Sequence, residues 1–141
     1  MSAVNEPAAQ RPPSQGTAAV IHRGLVDLFL AAVAIQFFLA GLGVFRARSH
    51  GSQRLADSST FDPHRALGTA LQVLALLILI AALATRRQVR LSVVLLVLMI
   101  LQSVWAGIGG DAPALAALHV LGGLAIGGVA YTLHRAGRAA A

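Results

Sequence analysis

Residues Gln102 to Gly123 read QSVWAGIGGDAPALAALHVLGG, and the chain carries this signal twice. The octet Gln102-Ser-Val-Trp-Ala-Gly-Ile-Gly109 aligns without a gap on Gln36-Phe-Phe-Leu-Ala-Gly-Leu-Gly43, sharing the Gln, the Ala-Gly and the final Gly. The closing segment His119-x-x-x-Gly123-x-Ala125 aligns on His64-x-x-x-Gly68-x-Ala70. The first copy holds more residues between its two signals, as a longer connecting loop inside an otherwise equal helical hairpin would give. Two related hairpins, each delivering one histidine, are expected.

The rest of the chain decides where such hairpins live. Its 141 residues are 57% hydrophobic and 11% charged, with a mean hydropathy of +0.74, which is too apolar for a soluble domain of this size. Four apolar runs, at about 24–45, 64–85, 91–109 and 112–133, account for it. Each is long enough to cross a hydrocarbon layer of about 30 Å as helix. The expected fold is all-α: an integral membrane antiparallel four-helix bundle over residues 20–135, built from two hairpins. Residues 1–19, rich in Ala, Pro, Gln and Ser, read as a disordered tail, and 136–141 as a second short one.

There is no cysteine, so disulfides and thiolate metal sites are excluded. The eleven basic residues are all arginine and flank the apolar runs, which makes them topology signals and not a nucleic-acid surface. Arg11, Arg23, Arg86, Arg87, Arg90, Arg135 and Arg138 fall on one side of a four-span layout, and Arg46, Arg48, Arg54 and Arg65 on the other. Asp57, Asp62 and Asp111 share the poorer side. Both termini of a multi-pass protein of the cell's cytoplasmic membrane are therefore expected in the cytoplasm.

Local signals add detail. Asp27 stands four residues after Arg23, a spacing for an ion pair along one helix. Ser59-Thr-Phe-Asp62 offers a cap for the second span, with Ser59 as N-cap, Asp62 reaching back and Pro63 in the permissive first turn. His50 falls in a polar loop, and Gly109-Gly-Asp-Ala-Pro113 supplies a turn, an N-cap and an early-helix proline. Trp105 fits an interfacial anchor, and His134 a boundary residue at the end of the last span. Gly122, Gly123, Gly127 and Gly128 form a small-residue face for helix packing, within the chain or in a homo- or hetero-oligomer.

His64 and His119 carry the functional expectation. The first and third spans run one way and the second and fourth the other, so the repeat is parallel, with a pseudo-two-fold axis along the membrane normal. That symmetry sets equivalent residues of the second and fourth spans at one depth on opposite sides of the bundle centre. A haem iron with two axial imidazoles requires such a pair. Gly68 and Gly123, one turn beyond each histidine, would leave space for a porphyrin edge. Gln36 and Gln102 are either neighbours of the ligands or, preferably, interhelical hydrogen-bond groups. Counting from the proposed helix starts puts the two histidines about 4.5 Å apart in depth.

At His64-Arg65, with a second histidine early in the fourth span and a Gln-to-Gly segment in the third, the sequence resembles one half of haem A synthase and, more loosely, other four-helix membrane b-type cytochromes. The resemblance covers about residues 24–133. It implies an antiparallel bundle with axial histidines at His64 and His119 and a b-type haem serving electron transfer or haem handling, with a membrane redox partner or quinone. Arg65 is placed to meet a haem propionate. The alternative is a non-enzymatic helical subunit of a larger membrane complex.

Overall fold

A computed structural model describes residues 16–49, 59–108 and 113–139. Four helices make up the bundle: α1 (Thr17–Ser49), α2 (Asp62–Thr85), α3 (Val89–Ile108) and α4 (Pro113–Ala139), with a 3-10 turn at Ser59–Phe61 before α2. Each contains a segment long and apolar enough to cross a membrane, so the protein is a multi-pass membrane protein of all-α fold. Of the expected disordered tail 1–19, Thr17, Ala18 and Ala19 already belong to α1, while residues 1–15, like His50 and the turn at 109–112, lie outside the described residues.

The helices overrun the apolar runs that announce them. α1 has 33 residues, about 50 Å of rise, and extends past the expected 24–45 at both ends. Its first turn is tied down by Ala19 N donating to Gly16 O at 2.8 Å, and Arg46 and Arg48 lie in its last turn. Arginine and alanine are good helix formers, so the helix continues beyond the hydrocarbon-spanning part. α4 likewise continues to Ala139. Pro113 opens it, where a missing N–H costs nothing.

The start of α2 differs from the capping-box expectation. Ser59 belongs to the 3-10 turn, and Phe61 is the N-cap with no side-chain cap bond. Asp62 pairs instead with Arg65, at 2.7 Å. The turn is held by packing: the Phe61 ring lies where a Cβ on Gly43 would stand, 2.7 Å from its nearest atom, so glycine at 43 lets the turn close onto α1. Thr60 Oγ1 also donates to Gly43 O at 3.2 Å.

The link between hairpins is Arg86 to Gln88. Arg86 and Gln88 both take left-handed backbone angles, φ 54° and 57°, and the Arg86 and Arg87 amides close back on Ala82 and Leu83 carbonyls. So short a connection makes α2 and α3 antiparallel neighbours. Around the bundle the packed pairs are α1 with α2, α2 with α3, α3 with α4 and α4 with α1, which puts α2 diagonally across from α4.

Burial extends the repeat well beyond its sequence signal. The offset of 66 that takes Gln36 to Gln102 also takes buried Val26, Phe29 and Val33 of α1 onto buried Ser92, Leu95 and Met99 of α3. The offset of 55 that takes His64 to His119 takes buried Leu71, Ala75, Ile78 and Ala82 of α2 onto buried Ile126, Ala130, Leu133 and Gly137 of α4. The two hairpins thus present the same faces to a common core. Large apolar side chains on the other faces, such as Phe38 at 67% and Phe45 at 73% exposure, point toward lipid.

The glycines of α4 are largely used inside the chain. Trp105 of α3 packs over Gly122, with a ring carbon 2.6 Å from where a Cβ would stand. Gly123 faces Gln102 and Phe37, and Gly127 faces Val33 of α1, whereas Gly128 has open space. Trp105, expected as an anchor, is also a packing residue.

Candidate functional site

The two histidines of the repeat meet. His64 on α2 and His119 on α4 stand across the bundle diagonal with ring centres 6.1 Å apart and planes at 68°. The offset in depth of about 4.5 Å obtained by counting from helix starts does not keep the rings apart, and each histidine is packed against the glutamine of its own hairpin.

Each histidine is held by a reciprocal clamp. In the first hairpin Gln36 Nε2 donates to His64 O at 2.8 Å, and His64 Nδ1 stands 3.2 Å from Gln36 O. In the second, Gln102 Nε2 donates to His119 O at 2.8 Å, and His119 Nδ1 stands 3.2 Å from Gln102 O. Antiparallel helix geometry explains the reciprocity. Side chains tilt toward a helix N-terminus and carbonyls toward its C-terminus, so at a matched level each side chain meets the other helix's carbonyl. The four contacts repeat in kind and length, as the duplicated sequence leads one to expect. Gln36 and Gln102 are thus interhelical hydrogen-bond groups.

The clamp also fixes the chemistry of the rings. A carbonyl oxygen only accepts, so Nδ1 of each histidine is the donor, and in a neutral ring that leaves the lone pair on Nε2. Among metal-binding histidines this division is usual, with the non-ligating nitrogen bonded to a carbonyl. In the first clamp Gln36 Nε2 also lies 3.4 Å from His64 Nε2, a longer contact than its bond to the backbone. The oxygens of both side-chain amides, Gln36 Oε1 and Gln102 Oε1, are buried without hydrogen-bond partners. Leaving such an acceptor unpaired costs about 1–3 kcal/mol, and the cost is borne at the same place in both hairpins.

The glycines at i+4 have a different immediate neighbour from the one expected. A Cβ on Gly68 would lie 3.2 Å from Gln36 Nε2, and one on Gly123 would lie 3.3 Å from Gln102 Nε2. Their first service is to admit the glutamine amides. Arg65 turns away from His64 to Asp62, on the exposed side of α2, and the Phe61 ring approaches His64 edge-on at 6.4 Å.

The residues present fit a bis-imidazole haem in donor type and in spacing. Imidazoles on opposite faces of one iron have ring centres about 6 Å apart, from two metal–nitrogen bonds of about 2 Å and two half-rings of about 1 Å. Among the described residues no cluster of three or more His, Cys, Asp or Glu side chains could hold a bare metal ion.

Two polar contacts lie outside the sequence expectation. Asp27 does not pair with Arg23 along α1; its Oδ1 accepts from His134 Nδ1 of α4 at 2.6 Å, which makes His134 an interhelical partner and not a boundary residue. Gln72 of α2 donates to Met99 O at 3.3 Å and to Ser103 Oγ of α3. The signal for the first was available: the repeat equivalents of Asp27 and His134 are Val93 and Leu79, so both are departures from the duplication.

Comparison with known proteins places the chain in the DUF6220 family, a family of unknown function, whose pattern matches residues 36–109. That match covers just over half of the chain, and the protein belongs to the family. The matched segment begins at Gln36, includes His64 and Gln102, and stops short of His119. No curated protein and no solved structure matches the chain.

Proposed function

We propose that the protein binds one b-type haem between His64 and His119 and serves electron transfer or haem handling. The observation that carries this reading is the pair of equal clamps, each holding an imidazole through Nδ1, at a ring separation of 6.1 Å across the pseudo-two-fold axis. A haem with both axial positions filled supplies one-electron transfer and leaves no open iron position. The chain's own residues position the ligands: Gln36 and Gln102 hold the rings' tautomer and direction, and Gly68 and Gly123 keep side-chain bulk away from the same turn. Arg65, which pairs with Asp62 on the exposed side of α2, would be the residue to meet a propionate. The arginine distribution supports a cytoplasmic-membrane location with both termini inside, and a membrane redox partner or quinone as the electron source.

The test is the absorption spectrum of protein expressed with haem available and purified in detergent. A Soret band and sharp reduced-state bands at close to one haem per chain are expected, falling at least tenfold in His64→Ala and in His119→Ala. A colourless wild-type protein, or full haem in both variants, would overturn the proposal.

A further inference from the structure

At the end of the bundle that carries the termini, a cavity of about 220 Å³ opens between α1 and α4. His22, Arg23, Asp27, His134 and Arg138 line it over an apolar floor. About 22 Å of α4 separates His134 from His119, so this is a second place, distinct from the histidine pair. His22 is 5% exposed, and its Nε2 is buried with no hydrogen-bond partner. His22 lines this cavity, and a guest there would give its unpaired ring nitrogen a partner. Asp27 is already engaged by His134 at 2.6 Å, and among the described residues Arg23 and Arg138 have no carboxylate partner.

The duplication shows that this polarity is not imposed by the fold. Through the same offsets, His22, Arg23 and Asp27 correspond to Gln88, Val89 and Val93, and His134 and Arg138 to Leu79 and Leu83. The seam between α2 and α3 therefore has no ionisable side chain at the places where the seam between α4 and α1 has five. The shape favours an amphiphile. An adjoining groove shares Asp27, His134 and Arg138 and continues down the seam along Leu30 and Ala31, toward the lipid-facing surface.

We infer that this seam is a binding site for an anionic phospholipid, with the phosphate held by Arg23, Arg138 and His22 Nε2–H and an acyl chain lying along Leu30 and Ala31. Asp27 and His134 tie the two helices together beside the cavity.

The full-length protein in a neutral detergent is titrated with phosphatidylglycerol, with phosphatidylcholine and, separately, with inorganic phosphate, and the thermal unfolding midpoint is followed. Phosphatidylglycerol is expected to raise the midpoint saturably by a few degrees, with neither of the others doing so. Arg23→Gln/Arg138→Gln should lose most of that shift, His22→Phe should weaken the half-saturation several-fold, and Arg86→Gln/Arg90→Gln, away from the cavity, should keep it. An equal shift in the Arg23/Arg138 variant, an equal response to phosphatidylcholine, or no response in the wild type would each overturn the site. A full response to inorganic phosphate alone would overturn its assignment to a lipid. None of these readouts depends on haem.

Discussion

The level of the paired histidines and the two seams of the bundle have diverged to different degrees. At the level of His64 and His119 both hairpins keep the histidine, the glutamine and the two contacts that join them, at the same distances. Along the seams they do not. Gln72 binds Ser103 and the Met99 carbonyl between α2 and α3, but the equivalent place between α4 and α1 holds Gly127 beside Val33, with Phe37 for Ser103. Asp27 and His134 join α1 to α4 where the other seam has Val93 and Leu79. A contact made across the symmetry axis needs both hairpins to make equal approaches, so substitution in one copy is costly there. A seam contact needs only one copy to have it.

That contrast can be broken in graded ways. The largest stability effect is expected at Gly122, where any side chain collides with Trp105 at 2.6 Å and Gln102 at 2.8 Å. Gly122→Leu should lower the midpoint of unfolding in detergent by the equivalent of about 3 kcal/mol, and adding Trp105→Leu should recover part of it, since the repeat places Leu67 and Leu39 at the equivalent positions. If the companion change made matters worse, the two hairpins would not be interchangeable even in packing.

Smaller and more telling is the comparison of Gln36→Leu with Gln102→Leu. Each removes an amide donor from a histidine carbonyl and should cost about 1–2 kcal/mol by chemical denaturation, with the two values within about 0.5 kcal/mol of each other. A difference above about 1 kcal/mol would mean that equal geometry conceals unequal energetics. The smallest effect belongs to a seam: Gln72→Leu should cost about 0.6 kcal/mol and leave the histidine pair's spectroscopic behaviour unchanged, which a haem titration would verify.

How much of this was readable from the chain depends on range. The four spans follow from apolar length alone, and the meeting of His64 with His119 followed from symmetry, which carries long-range information inside one sequence. Contacts between helices that no symmetry relates were not readable. Arg23 and Asp27 have good spacing for a pair on one helix, but the structure gives Asp27 to His134, a partner 107 residues away, because the seam brings them together. Ser59 had the composition of a cap, yet the close fit of Phe61 onto Gly43 determines how the chain enters α2. The role of Gly68 and Gly123 was read as open space because the reach of a glutamine from the neighbouring helix is not visible along a strand of letters.

The joint at Arg86 to Gln88 has a consequence for construction. Two non-glycine residues there hold left-handed angles, and the helices on either side begin and end almost at once. The outer ends of α1 and α4 come to the same face on adjacent helices. A circular permutant that opens the joint and fuses the tail of α4 to the head of α1 would therefore exchange which hairpin is synthesised first while leaving every clamp intact. Separately translated halves should likewise find one another in a bilayer and rebuild the whole from two pieces.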